Sequence, residues 1–172
     1  IDSWSVSANA TNDNSVKNIV SGTTTVGVVE GHDLTGDTGL SGNPGDSTSY
    51  QFTIINTGNA PDTYIYTVSS FNGWTTSDDH DGNSVALAVG ASKVITVSHD
   101  IPANAVSTDS DIVTFTVTDG LSSQVTTSVN QVYGISVSEG TLRLINPFQS
   151  GDLTFTITNT CNCDDTFSID NN

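Results

Sequence analysis

The chain has no methionine, four prolines and only three fixed positive charges, Lys17, Lys93 and Arg143, against 19 carboxylates. Its formal net charge of −16 repels phosphate and anionic headgroups, which leaves nucleic acid and membrane surfaces as poor partners. No apolar run approaches the ~18 residues of a spanning helix, so no membrane insertion is expected. Leu, Glu and Lys, the residues that build helices, are sparse, and no stretch sustains a helical period. No Gly-x-Ser-x-Gly elbow, phosphate loop or His-Glu-x-x-His is found, and His32, His80 and His99 stand apart from any nucleophile motif. Two cysteines, without a Cys-x-x-Cys-His or a second thiol pair, give no support for haem or structural zinc. An enzyme is therefore the least supported class, and the chain is expected not to be one.

Alternation with period two is what the sequence does have. Tyr50, Phe52 and Ile54 share one face of a strand, and so do Tyr64, Tyr66 and Val68 after the turn at Thr57-Gly58-Asn59-Ala60-Pro61-Asp62. Ile95 and Val97 alternate likewise, as do Val113, Phe115 and Val117. Thr118-Asp119-Gly120 then makes a hairpin turn into Val125, Thr127 and Val129, because Asp-Gly readily takes positive φ. Short strands at near-regular spacing, broken by Gly, Pro, Asn and Asp, predict an all-β antiparallel sandwich.

A repeat organises the chain. Phe155-Thr156-Ile157-Thr158-Asn159-Thr160 and Asp165-Thr166-Phe167 copy Phe52-Thr53-Ile54-Ile55-Asn56-Thr57 and Asp62-Thr63-Tyr64 at a constant offset of 103 residues. Leu153, Phe155 and Ile157 thus fall on Tyr50, Phe52 and Ile54, and Phe167 and Ile169 on Tyr64 and Tyr66, with the core-facing phase preserved. At the front, Ser3-Trp4-Ser5-Val6 through Asn14-Ser15-Val16 resembles Gly73-Trp74-Thr75-Thr76 through Asn83-Ser84-Val85, with an offset of 69 from Asn83 onward. A competing alignment sets residues 26–31 against residues 133–140. The expected organisation is a strand segment at 1–31 that completes a neighbouring module, a complete sandwich at 32–132 and an incomplete second module at 133–172.

Such an incomplete sandwich exposes unpaired backbone groups and one apolar face, a template for another chain. Trp4, Val6 and Ala8 are spaced for one face of a donated strand, and Leu153, Phe155, Ile157, Phe167 and Ile169 would receive it. Front complements back, so the contact is heterologous and propagates.

Asp78-Asp79-His80-Asp81-Gly82-Asn83 clusters hard oxygen ligands around a Gly turn, as calcium loops do. Asp79, Asp81 and Asn83 are the candidate ligands, a following bidentate Glu being absent, and calcium is the one candidate cofactor. Glu30, His32, Asp33 and Asp37 form a second acidic loop. Cys161-Asn162-Cys163 falls where the first copy has Gly58-Asn59-Ala60, so Cys161 and Cys163 are expected to bridge, locally or between subunits. Asn9-Ala10-Thr11 fits the glycosylation acceptor pattern at Asn9.

Asn43-Pro44-Gly45-Asp46, residues 50–55, Asn56-Thr57-Gly58-Asn59, Asp62-Thr63-Tyr64 and Gly73-Trp74 together resemble the tandem immunoglobulin-like modules, of the NEW3/CARDB type, of bacterial and archaeal surface proteins. A more distant similarity is to strand-donating filament subunits of the TasA/camelysin kind. The resemblance implies an immunoglobulin-like sandwich at the cell surface. The expected function is an extracellular structural subunit that binds copies of itself head to tail in a pilus-like filament. The alternatives are a carbohydrate- or protein-binding accessory module with Phe71 and Trp74 as stacking platforms, and a calcium-stabilised S-layer or stalk repeat.

Overall fold

A computed structural model describes residues 1–140 and 146–170 and contains thirteen strands, with no helix among the described residues. Accordingly, no helix there is long and apolar enough to cross a membrane. Two strands at the front, β1 (Asp2–Ala10) and β2 (Asp13–Thr24), pair antiparallel as an isolated hairpin with Trp4 opposite Gly22 and Val6 opposite Val20.

Nine strands follow: β3 (His32–Gly36), β4 (Leu40–Gly42), β5 (Ser47–Asn56), β6 (Asp62–Ser70), β7 (Thr76–Asp78), β8 (Ser84–Leu87), β9 (Ser92–Asp100), β10 (Ser110–Val117) and β11 (Ser122–Val129). They form a five-stranded sheet ordered β4-β11-β10-β6-β8 and a four-stranded sheet ordered β3-β5-β9-β7. Only β4 against β11 is parallel. The expected all-β sandwich is thus present, and its core is the set of in-phase side chains. Phe52 stacks on Phe115 at 4.7 Å between ring centroids, and Phe115 on Tyr66 at 4.8 Å. Tyr50, Ile54, Ile95, Val97 and Val113 are fully buried around them, each contributing roughly 1.5–3 kcal/mol of transfer free energy. The turn between β10 and β11 has Asp119 at φ 77° and Gly120 at φ 96°, positive values of the kind that Asp-Gly readily takes.

The last two strands, β12 (Ile135–Glu139) and β13 (Phe155–Asn159), pair only with each other among the described residues. Their register repeats that of β3 and β5. Ile135 faces Asn159 as His32 faces Asn56, and Glu139 faces Phe155 as Gly36 faces Phe52.

Two expectations need correction. The alignment of Trp4 with Trp74 fails, because β1 and β2 bond to each other while β7 and β8, their counterparts on that alignment, lie in opposite sheets. Trp4 sits inside a strand, whereas Trp74 sits in the irregular segment just before β7. Phe167 and Ile169 lie outside any strand, as does Leu153. Their counterparts in β6 are held by β10 and β8 on either side. No such neighbours flank residues 165–170 among the described residues, and a strand without a ladder is not stable.

Candidate subunit interface

The turn after each copy of the repeated strand holds the chain that enters its own module. In the central module, Val29 N–H donates to Asn59 Oδ1 (2.7 Å), and Asn59 Nδ2 donates to the Gly27 carbonyl (2.9 Å). Asn59 N–H donates to the Val29 carbonyl (3.0 Å) and Thr57 N–H to Gly31 (2.9 Å). One repeat later the same bonds recur. Val132 N–H donates to Asn162 Oδ1 (2.8 Å), and Asn162 Nδ2 donates to the Asn130 carbonyl (2.9 Å). Asn162 N–H reaches the Val132 carbonyl (3.3 Å) and Thr160 N–H reaches Gly134 (3.0 Å). Each turn is shaped from within by a second asparagine. Asn56 Oδ1 accepts from Gly58 N–H and Asn56 Nδ2 donates to the Ala60 carbonyl, both at 2.9 Å. Asn159 does the same with Cys161 and Cys163, also at 2.9 Å.

The two joints therefore share one register, in which residues 27–31 correspond to residues 130–134. Neither alignment of the front segment read from the sequence has this register. It places β1–β2, ahead of the first joint, where β10–β11 stand ahead of the second. The second joint has an extra tie. Ser107 N–H, in the loop between β9 and β10, donates to the Asn162 carbonyl (2.9 Å). With that bond every polar group of Asn162 is engaged, and Asn162 is half-buried while Asn59 is exposed. Cys161 and Cys163 are joined by a disulfide that spans this turn, with Cα atoms 5.1 Å apart. A cleft of about 480 Å³ opens beside it, bounded by Pro44, Val106, Val132 and Cys161.

The end hairpins each carry one apolar face. On β1–β2 it consists of Trp4, Val6 and Val20, with the Trp4 indole lying against Gly22, where an added Cβ would meet the ring at 2.5 Å. Trp4 is 49% exposed. On β12–β13 it consists of Ile135, Val137, Phe155 and Ile157, all more than a third exposed. Leu153, Phe167 and Ile169 are also open to solvent, and Ala8 and Asn9 lie exposed at the far end of β1.

Sequence reasoning missed a polar network inside the sandwich. His99 Nε2 lies 3.0 Å from Asp111 Oδ2, and His99 Nδ1 lies 2.7 Å from Thr127 Oγ1, which also bonds the Tyr50 hydroxyl. Ser70 Oγ donates to Asp111 Oδ2, while Asn72 N–H (2.8 Å) and Ile112 N–H (2.7 Å) donate to Oδ1. Burial pushes the Asp111 carboxyl up, but these bonds outweigh it and hold the group below the ordinary value. Trp74 stacks on His99 at 5.3 Å, so of the two aromatics expected as stacking platforms only Phe71, 81% exposed, stands free.

The acidic loops use their carboxylates locally. Asp79 Oδ1 accepts from Thr96 N–H (2.8 Å), a bond that lowers its pKa. Asp78 Oδ1 accepts from the Tyr66 hydroxyl (3.0 Å) and from His80 N–H (3.0 Å). Asp81 and Asn83 are exposed in the same loop. Asp37 Oδ2 accepts from Gln51 N–H, Asp33 caps Leu34, and His32 Nε2 sits 3.2 Å from Asp119 Oδ1 without hydrogen-bond alignment. Among the described residues no three His, Cys, Asp or Glu side chains gather as a metal-holding group.

Several solved structures are similar to this chain, these three among them. The native conformation of E. coli alpha-2-macroglobulin, seen by cryo-EM, is 13% identical, covers 72% of this chain and 8% of that chain, and has a TM-score of 0.43. The crystal structure of the same E. coli protein from domain MG7 to its C-terminus is 15% identical, covers 64% and 18%, and scores 0.41. The ASH/PapD-like domain 7 of human CEP192 is 9% identical, covers 57% and 84%, and scores 0.34. The chain spans less than a fifth of the length of the two E. coli chains. No curated protein matches it. A protein-family profile does match, over residues 47–134, from the start of β5 to just past β11. That family is immunoglobulin-like, as the motifs implied, but it is neither the NEW3/CARDB nor the TasA/camelysin group. With more than half of its residues inside the match, the chain belongs to the family described as "IG-like fold at C-terminal of FixG, putative oxidoreductase".

Proposed function

We propose that the protein is a non-catalytic, extracellular structural component in which immunoglobulin-like modules join head to tail as a fibre, each incomplete end being completed by strands of a neighbouring copy. The observation that carries this reading is the pair of equivalent joints at Asn59 and Asn162. A linker clamped by four or five hydrogen bonds fixes the direction from one module to the next, and repeating a fixed step builds a line. The apolar faces of the two end hairpins supply the sticking surfaces, and unpaired strand edges beside them favour association with like strands. Strong negative charge keeps such a fibre dispersed.

Light scattering after size-exclusion chromatography, followed by electron microscopy, tests the reading. The expected result is a series of linear oligomers that lengthens with protein concentration. A monomer at every concentration would overturn it.

Calcium enters as a screening cation between acidic modules. Equal gains in assembly from calcium and magnesium at matched concentration support that role, and a gain confined to calcium assigns it instead to a site such as Asp79, Asp81 and Asn83.

A further inference from the structure

We infer that the apolar face of β12–β13 is covered by the β1–β2 hairpin of a second copy, packed face to face as β10–β11 pack over β3–β5. This rests on the assembly proposed above and specifies its contact, which is sheet on sheet and not the addition of a strand at an edge.

Both halves of the contact have a counterpart inside the molecule. β12–β13 reproduces β3–β5 in register, so its apolar face is the one that β3–β5 turns inward. In the central module that face is covered by β10 and β11, with Phe52 stacked on Phe115 and the Tyr50 hydroxyl bonded to Thr127. β1–β2 precedes its joint as β10–β11 precede theirs, and the joints share one register.

Carried back along the hairpin, that register sets Gly22 at the place of Val125. Trp4, which pairs with Gly22, then takes the place of Val113, which pairs with Val125. A large residue beside glycine replaces two valines, so the layer keeps its bulk. Val6 falls at the place of Phe115, and so faces Phe155, the counterpart of Phe52. Thr24 falls at the place of Thr127, and Leu153, which corresponds in sequence to Tyr50, lies just ahead of β13. The Trp4 face of β1–β2 therefore matches the inward face of β10–β11, and β12–β13 is a sheet of the kind that such a face covers.

Within one molecule the two hairpins flank opposite ends of the central module's sequence, and no strand of one pairs with a strand of the other. A second copy brings them together without unfolding anything, because all four strands already exist as hairpins. The outer edge of β13 stays open in this contact, since β9, which bonds β5 in the central module, has no counterpart there among the described residues.

Cysteine cross-linking between two full-length variants tests the contact, with oxidised glutathione as the oxidant. Val6→Cys mixed with Phe155→Cys is the facing pair, and Val6→Cys mixed with Thr156→Cys is the control, because Thr156 lies on the opposite face of β13. The facing pair should give roughly tenfold more disulfide-linked dimer, since a disulfide needs Cβ atoms within about 4 Å. All three sites are exposed strand positions outside the central core, so the variants should fold. Equal yields from the two mixtures, in samples that still form linear oligomers by light scattering, overturn the face-to-face contact and leave the fibre reading standing. Absence of both cross-links, where the native chain is itself monomeric at every concentration, overturns the fibre reading and this contact with it. A blue shift of Trp4 fluorescence with concentration, absent from Trp4→Phe, gives independent support, and an unchanged spectrum in assembled samples counts against the contact.

Discussion

His99 on β9 and Asp111 on β10 meet across the sandwich, with Nε2 and Oδ2 3.0 Å apart and both side chains wholly removed from solvent. They tie the four-stranded sheet to the five-stranded one at the end where Trp74 closes over the core. Asp111 is the hub, taking hydrogen bonds from Ser70, Asn72, Ile112 and His99. Asp111→Ala would leave these buried donors without an acceptor. Its expected cost is about 3 kcal/mol or more in urea unfolding, because hydrogen bonds to a charged group are worth about 1.5–3 kcal/mol and several buried donors lose theirs together. A change under ~1 kcal/mol would mean that water enters and replaces the carboxylate.

The same carboxylate should set the acid limb of stability. Its folded pKa lies below the unfolded value near 3.8, so the ionised form favours the fold. The stability it adds is fully present above that value and is lost as pH falls through it toward the folded pKa. Asp79 is shifted in the same direction but is exposed, and contributes less. Melting temperature measured from pH 6 to pH 2 should therefore fall less steeply for Asp111→Asn than for the native chain. Parallel curves would show that another carboxylate governs acid unfolding.

At the second joint, Asn162→Ala removes the two side-chain bonds to Asn130 and Val132. Each neutral bond of this kind is worth about 1 kcal/mol. Hydrogen exchange at Val132 N–H should accelerate about tenfold or more, while the melting of the central module stays unchanged, because none of these groups enters its core. Reduction of Cys161–Cys163 should act in the same direction. Unaltered exchange in both would mean that the backbone bonds of Thr160, Asn162 and Ser107 hold the joint without the side chain or the bridge.

The central sandwich was legible because its strands alternate strictly and its breakers fall between them. Tyr50, Phe52 and Ile54, and Val113, Phe115 and Val117, all turned inward as their phase required. The polar network followed the same phase: His99 continues Ile95 and Val97, Asp111 precedes Val113 and Phe115, and Thr127 lies between Val125 and Val129. That was the signal available, and it was hidden because a polar residue at an inward position reads as an interruption of the pattern. The joints were illegible for another reason. Their bonds run through backbone and two asparagines, so Gly27 can stand where Asn130 stands, and Glu30 where Tyr133 does, without changing the geometry. Trp4 and Trp74 misled in the opposite way, since a shared tryptophan outweighed strand pairing that sequence does not display.

Gly58 offers the sharpest check on the first joint. A Cβ there would lie 2.6 Å from the Val29 carbonyl oxygen and 3.1 Å from the Gly31 nitrogen, both backbone atoms of the incoming chain. Neither can rotate away as a side-chain tip could, so Gly58→Ala must push residues 29–31 off the turn or shift the turn itself. The bonds from Thr57, Gly58 and Asn59 to Gly31 and Val29 are the ones at risk. The expected cost is about 1–3 kcal/mol, in the range for overpacking at a close contact. It should appear as faster exchange of the Thr57 and Asn59 amides, with shorter oligomers in light scattering. The corresponding position in the second copy is Cys161, whose side chain is drawn into the bridge to Cys163. Gly58→Cys combined with Ala60→Cys should therefore recover exchange protection that Gly58→Ala loses. If the double variant exchanges as fast as Gly58→Ala, the disulfide does not shape the turn.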